Sequence, residues 1–353
     1  MNKVINIAGR EISNDSPVFI IAEMSGNHNG DIGRAIEIIH AAKEAGADAV
    51  KLQTYTPDTI TLDCDNEYFQ LNRGTLWDGM TLHALYQTAY TPWDWQPRLM
   101  EAAKKCGLIC FSTPFDFTAV DFMAEMDMPA YKIASYEIAD IPLIKKAASQ
   151  GKPLIIATGI AYPDDINRAL LACRDVGNED VVLLKCVSSY PTSFADAHLR
   201  NIPIMAADYD CLTGLSDHTL GGTTALGAVA LGAVMIEKHL TLRRSDGGPD
   251  AAFSLEPEEL ADMVRQIRDL EVALGSRKYT LTATQIKERE GGRSLFAVRD
   301  IATGERLTAD NIRSIRPAAG LPPCYYDEVM GKVATRAISR GTPLQAEMYR
   351  EQK

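Results

Sequence analysis

The stretch PLIIATGIAYPDDINRALLACRDVGNEDVVLLKCVSSYP (residues 153–191) holds two short apolar runs, PLIIATG and VVLLKCVSSYP, with a segment of helical periodicity between them. Apolar runs of this length that are rich in β-branched residues are typical of strands buried on both faces. A strand, a helix and a second strand in this order form a βαβ unit, in which the two strands are parallel. The stretch therefore predicts an α/β fold built on a parallel sheet.

The same pattern recurs along most of the chain. Eight apolar runs lie at 18–24, 48–55, 108–114, 130–138, 153–159, 181–191, 210–219 and 233–242. Helical stretches lie between most of them and often end in glycine, as helices commonly do, and residues 256–275 supply the eighth helix. Eight such units close into a (β/α)8 TIM barrel, which we predict for residues 1–275. The long segment 56–93 is predicted to be an insertion at the mouth of the barrel.

The composition changes after residue 275. Residues 276–292 are polar and weakly patterned, which predicts a linker. In the remaining residues, 293–353, the stretches RDIATGERL (299–307) and RAISRGTPL (336–344) share the pattern R-x-I-x-x-G-x-x-L, 37 residues apart. This repeat predicts a small, pseudo-symmetric β domain with Gly304 and Gly341 at turns and one short helix at YYDEVMGK.

The bulk properties exclude several classes of function. A net charge of −11 argues against general nucleic-acid binding, which usually requires a basic patch. No run approaches the roughly 18 apolar residues of a membrane span, and the N-terminus lacks an apolar signal region. Seven cysteines without a C-x-x-C pair suit free thiols in a reducing compartment. We therefore expect a cytoplasmic enzyme without a nucleic-acid or membrane partner.

Function in such a barrel is located where the strands end. Polar residues at the predicted strand ends are Glu23, Lys51, Gln53, Ser112, Thr113, Lys132, Ser135, Thr158, Lys185, Ser188, Tyr190, Ser216, Asp217, His218, Glu237, Lys238 and His239. Burying so many lysines is costly unless negative charge neutralises them. Either a phosphate or carboxylate ligand, or internal pairing with Glu23, Glu137 and Glu237, satisfies that requirement. Glycine-rich nucleotide-binding motifs are absent from the sequence.

Two histidines stand at the ends of neighbouring predicted strands. His218 lies in GLSDHTLGG (214–222), and His239 ends the following strand. Adjacent parallel strands are about 5 Å apart, so imidazoles at matching heights can converge on one divalent metal ion. The alternative is a general base beside a hydrogen-bonded packing histidine.

Several motifs together resemble the sialic acid synthase family: IIAEMSGNHNGD, DAVKLQTY, FSTPFD, YKIASYEI, SSYPT, GLSDHTLG and EKHLTL. Members of that family condense phosphoenolpyruvate with an amino-sugar aldehyde to give a nine-carbon keto acid. Residues 293–353 are similar to the family's antifreeze-like (SAF, β-clip) domain. GTLWDG (74–79) and SDGGPDAAFSLEP (245–257) resemble the branch that makes pseudaminic acid from 2,4-diacetamido-2,4,6-trideoxy-altrose. The His-Lys pair that the sialic acid branch carries after Asp250 is absent, which argues against N-acetylmannosamine as the sugar.

The resemblance also implies roles for individual residues. His218 and His239 would bind Mn²⁺, with Mg²⁺ or Co²⁺ as alternatives, and Glu23 would orient and deprotonate water. Burial would raise the pKa of Glu23 and Lys51 would lower it, and a simple Glu23–lysine ion pair is the competing interpretation. The implied phosphoenolpyruvate contacts are Lys51, Thr113, Lys132, Ser135, Ser188, Tyr190 and Ser216, although Ser188 stands where the sialic acid branch usually has asparagine.

The implied sugar contacts include residues from both domains. Gln53 and Asp250 are plausible partners for a polyol and its amides, and Arg316 matches the arginine that the SAF domain places over the sugar. In the family that domain reaches the barrel of the other subunit, so the resemblance implies a domain-swapped homodimer. Asn27 and His28 either line the mouth or hold a structural turn. The aromatic residues Tyr68, Trp77 and Trp93 either cover the deoxy methyl group or pack among themselves.

Three alternative functions stay open. The same chemistry can serve an N-acetylneuraminate or legionaminate synthase with another sugar. A Schiff-base pyruvate aldolase can use Lys132 or Lys185 as its nucleophile on a similar barrel. The C-terminal domain can also belong to a carbohydrate- or ice-binding protein with an inactive barrel, which the set of lysines and histidines at strand ends argues against.

Overall fold

The computed structural model describes residues 3–72, 74, 76–275 and 278–351. Eight parallel strands form a closed barrel, in which the last strand pairs with the first. These strands are β3 (Phe19–Glu23), β4 (Ala49–Thr54), β5 (Ile109–Pro114), β6 (Tyr131–Ile133), β7 (Leu154–Ala157), β8 (Val181–Cys186), β9 (Leu212–Asp217) and β10 (Met235–His239). The predicted TIM barrel is therefore confirmed.

Helices follow the strands and cover the barrel. They are α1 (Ile32–Glu44), α4 (Gln96–Lys105), α5 (Phe117–Glu125), α6 (Ile141–Ala148), α7 (Pro163–Asp175), α8 (Asn201–Tyr209), α9 (Thr223–Ala230) and α10 (Pro257–Leu274). Several begin at an aspartate that accepts hydrogen bonds from the first free N–H groups, as Asp31 does from Gly33 and Arg34. The helices α5 and α8 lie where the sequence showed no clear helical periodicity. None of the helices in the described ranges combines the length and apolar character that a transmembrane span requires.

An antiparallel hairpin precedes the barrel and was not predicted. Its strands are β1 (Ile5–Ile7) and β2 (Arg10–Ile12), joined by Ala8 and Gly9 at φ values of 51° and 85°. The side chains of Ile5, Ile7 and Ile12 are buried in the same core cluster as Phe19, the first residue of β3. Strands of three residues are too short for a period-2 pattern to stand out, which is why the sequence did not reveal them.

The segment 56–93 lies between β4 and α4, and its described residues form a folded insertion. It contains two short helices, α2 (Pro57–Ile60) and α3 (Leu82–Ala89). Between them the chain folds back on itself, since Leu71 N donates to Met80 O at 2.9 Å and Leu82 N donates to Phe69 O at 2.9 Å. The run 130–138 is also shorter as a strand than predicted, because a 3-10 turn, Ser135–Glu137, follows β6.

The chain divides into two compact units, Met1–Gly275 and Ser276–Lys353. The first two residues of the predicted linker, 276 and 277, lie outside the described residues. The helix α11 (Ala283–Glu288) occupies part of that segment and starts at Thr282, whose hydroxyl accepts from Gln285 N. The second unit also contains β11 (Ser294–Ala297), β12 (Ile312–Ile315), α12 (Tyr326–Val329), β13 (Val333–Ala334) and β14 (Tyr349–Arg350).

The repeat in the second unit appears as pseudo-twofold symmetry. Ile301 N donates to Ile338 O at 2.8 Å, and Ile338 N donates to Ile301 O at 2.9 Å. Gly304 N donates to Ala334 O and Gly341 N donates to Ala297 O, both at 2.8 Å, so the bonds repeat with the 37-residue spacing. Gly304 and Gly341 both have positive φ, 81° and 84°, as their turns require.

Because Ile301 and Ile338 occupy equivalent buried positions, Ile301→Ala and Ile338→Ala should destabilise the second unit to a similar degree. We expect a loss of about 2–4 kcal/mol each in its free energy of unfolding, measured by hydrogen exchange of the amides in 293–351. Ile286→Ala, which truncates an exposed isoleucine of the same unit, is the control and should cost less than about 0.5 kcal/mol. A large difference between the two buried variants would contradict the symmetry.

Candidate active site

The strand register brings ionisable residues to one end of the barrel. Glu23 at the end of β3 lies directly opposite Lys51 on one side and His239 on the other. Ser216 of β9 lies opposite Glu237 of β10. Because all eight strands run in the same direction, these carboxyl-end residues meet in one place.

Two lysines and two glutamates form a buried charge cluster there. Lys51 Nζ lies 2.6 Å from Glu23 Oε2 and 3.9 Å from Glu237 Oε1. Lys132 Nζ lies 3.6 Å from the same Glu237 oxygen. Ser216 donates to that oxygen at 2.9 Å, and Lys51 donates to Thr113 Oγ1 at 3.1 Å. Internal pairing therefore accounts for both lysines, and their ammonium groups remain grouped beside hydroxyls where an anion can bind.

The two carboxylates of this cluster differ in their pKa. Burial raises the pKa of Glu23 to about 7, although the ammonium of Lys51 opposes that shift. Burial also acts on Glu237, but Lys132 and Lys51 outweigh it and hold the pKa of Glu237 below its ordinary value. Glu237 therefore stays ionised, whereas Glu23 can take up or release a proton near neutral pH.

Two other lysines at strand ends do not join the cluster. Lys238 is fully buried and its Nζ lies 2.7 Å from Asp217 Oδ2, which also accepts from Thr224 of α9 at 2.6 Å. Its side chain therefore lies between the barrel and the helices. Lys185 Nζ donates to Cys186 O at 2.7 Å. Internal pairing therefore accounts for Lys238, but with Asp217 and not with Glu23, Glu137 or Glu237, because successive residues of a strand point to opposite faces.

The two predicted metal ligands lie next to each other. The ring centroids of His218 and His239 are 5.3 Å apart. His218 Nδ1 lies 3.0 Å from Val187 O, which can only accept, so Nδ1 carries a proton. Burial acts to lower the pKa of His218, but Cys186 and the carbonyl of Val187 outweigh it and hold that pKa above its ordinary value. His239 Nδ1 is buried without a hydrogen-bond partner among the described residues. Burial lowers the pKa of His239 well below its ordinary value, so this ring is neutral.

These two rings fit a divalent metal ion. His239 supplies a neutral imidazole, and the hydrogen bond from His218 Nδ1 to Val187 O leaves Nε2 as the nitrogen of His218 that can bind a metal, as second-sphere contacts commonly do. Within the described ranges no cluster of three or more His, Cys, Asp or Glu side chains is arranged to hold a metal. An ion here would therefore have two protein ligands and keep positions for water or substrate, as catalytic metals do.

Aromatic rings support both imidazoles. Tyr190 lies with its ring centroid 4.4 Å from that of His218, and Phe253 lies 4.9 Å from that of His239. Tyr190 was a predicted substrate contact, whereas Phe253 was missed. It lies three residues after Asp250 in GPDAAFSL, a motif that sequence reasoning used only for its aspartate.

A group of hydroxyls lies at the ends of β6, β7 and β8. Ser135 Oγ accepts from Gly159 N at 3.0 Å, and Ser188 Oγ is buried without a partner among the described residues. A Cβ on Gly159 would lie only 2.3 Å from Ser188 Oγ and 2.7 Å from Ser135 Oγ. Glycine therefore leaves room for both hydroxyls, and a buried hydroxyl without a partner is suited to an anionic ligand.

A hydrogen-bonded chain joins the charge cluster to the predicted sugar contacts. Gln53 Nε2 donates to Glu23 Oε1 at 3.1 Å and to Ser25 Oγ at 3.0 Å. Ser25 donates to Asp250 Oδ2 at 2.5 Å. Sequence reasoning missed Ser25, which has a φ of 47°, a region that non-glycine residues rarely adopt and that often marks functional sites.

A cavity of about 490 Å³ opens beside these groups. Of the predicted site residues, its lining includes Gln53, Tyr190, His239 and Asp250. Glu137 also lines it, with a buried Oε2 that has no partner among the described residues and a pKa that burial raises to about 7. Sequence reasoning considered Glu137 only as an ion-pair partner. Its place after β6 in YKIASYEI was the available signal.

Three further predicted residues lie elsewhere. Asn27 donates to Leu240 O and Ser254 Oγ, both at 2.9 Å, and His28 contacts Thr91 Oγ1 at 3.2 Å. Both side chains are fully buried, so they hold the loop after β3, which is the structural alternative. Arg316 belongs to the second unit, where it is exposed directly after β12.

Known proteins share this architecture. The NeuB family profile matches residues 38–279, and the SAF domain profile matches residues 292–350. A pseudaminic acid synthase of Helicobacter pylori is 43% identical over 332 residues, which make up 94% of this chain and 97% of that protein. An N,N'-diacetyllegionaminic acid synthase of Legionella pneumophila is 34% identical and covers 92% of this chain and 93% of its own length.

A solved structure agrees with these matches. The crystal structure of an N-acetylneuraminic acid synthetase from Leptospira borgpetersenii, in complex with citrate, superposes with a TM-score of 0.73 and is 33% identical. The match covers 82% of this chain and 95% of that chain. The resemblance seen in the motifs is thereby confirmed, and the chain belongs to the NeuB family with a C-terminal SAF domain.

Proposed function

We propose that this protein condenses phosphoenolpyruvate with 2,4-diacetamido-2,4,6-trideoxy-altrose and water, giving pseudaminic acid and phosphate. The observation that carries the proposal is the buried pair of lysines beside two adjacent imidazoles at the carboxyl end of a NeuB-family barrel. The choice of sugar is supported by relatives named pseudaminic acid synthase, which are 43% identical over 94% of this chain.

Phosphoenolpyruvate carries a phosphate and a carboxylate, and the charge cluster is suited to both. The ammonium groups of Lys51 and Lys132 attract the anion strongly because the site is buried. The hydroxyls of Thr113, Ser135 and Ser188 would donate hydrogen bonds to its oxygens. Ser188 has no other partner among the described residues, so binding would satisfy it.

The two histidines would hold a divalent metal ion, for which we propose Mn²⁺. When bound, such an ion polarises a carbonyl oxygen and makes its carbon more electrophilic. Burial keeps the ring of His239 neutral, and the carbonyl of Val187 occupies Nδ1 of His218, which leaves Nε2 of that ring for the ion. Tyr190 and Phe253 hold the planes of the rings by packing against them.

The proposed reaction proceeds in steps that the charged groups of the site would assist. The enol carbon of phosphoenolpyruvate forms a bond to the aldehyde carbon, whose π electrons move to the aldehyde oxygen, and the cation left at C2 takes up water. Of the two protons of that water, one ends on the former aldehyde oxygen, which becomes a hydroxyl, and the other leaves as the keto group forms and phosphate departs. Glu23 accepts a proton of that water, since its raised pKa makes it a competent base near neutral pH. The tetrahedral intermediate expels phosphate by cleavage of the C–O bond, while Lys51 and Lys132 stabilise the departing charge.

We further propose that the active form is a homodimer in which the SAF domain of one subunit covers the barrel of the other. Exposed apolar side chains follow five successive barrel strands, β5 to β9: Phe117, Tyr136, Ile160, Tyr162, Phe194 and Leu220. Apolar groups gathered at one end of a protein often mark an interface. All seven cysteines are free thiols, which supports a cytoplasmic location.

The proposed activity predicts phosphate release that depends on the sugar and on a metal. Phosphoenolpyruvate should yield phosphate with the altrose sugar and at most weakly with N-acetylmannosamine or a legionaminate-type sugar. EDTA should abolish the release, and added Mn²⁺ should restore it. The reaction is followed by a phosphate assay and by mass spectrometry of the nine-carbon acid. Release without any sugar, or activity that is indifferent to EDTA, would contradict the proposal.

The role of Glu23 predicts a pH profile. Because its pKa is raised to about 7, the ionised base accumulates above that pH, and kcat/KM should rise through pH 7 and then level off. Glu23→Gln should remove this limb and lower kcat by about 10²- to 10⁴-fold. Glu137→Gln is the matched control, since burial also raises the pKa of Glu137 to about 7. If kcat/KM of the Glu137 variant no longer rose through pH 7, while that of Glu23→Gln still did, Glu137 and not Glu23 would be the general base.

The proposed dimer predicts an effect of Arg316 across subunits. Arg316→Ala should raise the KM for the sugar by about 10- to 100-fold, the cost of losing charge-assisted hydrogen bonds, and leave the KM for phosphoenolpyruvate largely unchanged. Arg313→Ala, at an exposed arginine of β12, is the control. A mixture of Arg316→Ala with the inactive His239→Ala should be more active than the sum of the two variants measured separately. In each mixed dimer, one site combines an intact His239 from one subunit with an intact Arg316 from the other. Strictly additive activity would exclude a contribution from the other subunit.

A further inference from the structure

The structure points to a specificity device within the cavity, and this inference rests on the proposed function. We propose that the apolar surface contributed by segment 56–93 selects sugars whose sixth carbon is a methyl group and discriminates against the corresponding 6-hydroxy sugars. We call this surface the aliphatic wall, and it consists of Ile60, Leu71, Leu82 and Leu85.

The aliphatic wall lines the same cavity as the polar site residues. Its four side chains offer no hydrogen-bonding atom, and the aromatic rings of Trp77 and Tyr86 line the cavity beside them. The same lining includes Ser25, Gln53 and Asp250, which hydrogen bonds join to one another, together with His239. We call the hydrogen-bonded group around Ser25, Gln53 and Asp250, with His239, the polar end of the cavity, and the aliphatic wall its apolar end.

Several contacts hold the insertion in place against the barrel. Trp77 Nε1 donates to Pro249 O at 2.9 Å, which ties the folded-back chain to the loop after β10. The helix α3 approaches the loop after β3 so closely that a Cβ on Gly26 would lie 3.2 Å from the Cα of Ala89 and 2.7 Å from Pro249 Cγ. Leu85 and Ala89, on one face of α3, are buried. The wall is thus a fixed part of the cavity.

The reaction determines which part of the sugar meets the wall. The aldehyde carbon must lie at the polar end, beside the imidazoles and the charge cluster. The sixth carbon is the far end of the same open chain, so it extends away from the polar groups and toward the insertion. The acetamido group on the second carbon, by contrast, is next to the aldehyde and stays near the hydrogen-bonding side chains.

A methyl group and a hydroxyl have different consequences at this wall. A methyl group gains from removal of its apolar surface from water. A hydroxyl loses its hydrogen bonds to water and finds no partner on four aliphatic side chains. Apolar pockets typically discriminate against an added hydroxyl by about 100-fold or less. We therefore expect a preference of about 10- to 100-fold in kcat/KM for the 6-deoxy sugar over its 6-hydroxy analogue.

The test introduces a polar group into the wall. Leu82→Asn replaces a half-buried leucine at the start of α3 with a side chain of similar length that can both donate and accept. Ile60→Asn does the same from α2, and thermal unfolding verifies that both variants fold. Leu62→Asn is the matched control, because Leu62 belongs to the same segment but is 64% exposed and does not line the cavity. Phosphate release is measured with both sugars at saturating phosphoenolpyruvate.

The inference requires the preference for the 6-deoxy sugar to fall at least fivefold in Leu82→Asn or Ile60→Asn, mainly through a higher KM for that sugar. The KM for phosphoenolpyruvate of the wall variants should equal that of the unaltered protein. Leu62→Asn should keep the same preference for the 6-deoxy sugar as the unaltered protein. A preference that changes less than twofold in both folded wall variants would overturn the inference and leave the proposed function intact. Absence of phosphate release from the unaltered protein with every sugar would instead overturn the proposed function, and the inference with it.

Discussion

The pairing of Lys51 and Lys132 with Glu23 and Glu237 is the constraint on which the carboxyl end of this barrel depends. One isolated charge in a protein interior costs several kcal/mol, so none of the four groups would be stable in its position alone. The strand register offsets part of this cost, because Glu23 stands directly opposite Lys51 in the neighbouring strand. Both ammonium groups are thereby kept in a site from which water is excluded, and there they attract an anion more strongly than at the surface.

The two glutamates of that cluster show how a shared environment separates their roles. Glu237 faces both lysines and accepts a hydrogen bond from Ser216, so it remains a permanent negative charge. Glu23 has one close ammonium partner, and burial prevails in setting its pKa near 7. Because their pKa values are pushed apart in this way, one carboxyl group is a fixed counter-charge and the other can exchange protons.

The sequence allowed the barrel and the strand-end residues to be predicted, because both depend on local periodicity and on the parallel direction of the strands. It did not show which face each lysine occupies. Lys238 and His239 are consecutive, yet one ammonium pairs with Asp217 outside the barrel and the next side chain reaches the imidazole pair. Ser25 and Glu137 were missed for a different reason, since their positions depend on loop conformations after β3 and β6 that no periodicity encodes.

The groups that we propose for the reaction and those that we propose for the choice of sugar belong to different parts of the structure. The groups to which we assign the reaction stand on strands, whose hydrogen-bonded ladder fixes their height and spacing. The aliphatic wall comes from a segment between β4 and α4 whose path the ladder does not determine. Under the proposed function, a change in that segment would alter which sugar tail fits and leave the Lys51–Glu23 pair in place, whereas a change in the pair would affect every sugar alike. A barrel of this design can therefore acquire a new sugar preference through one insertion while its reaction is preserved.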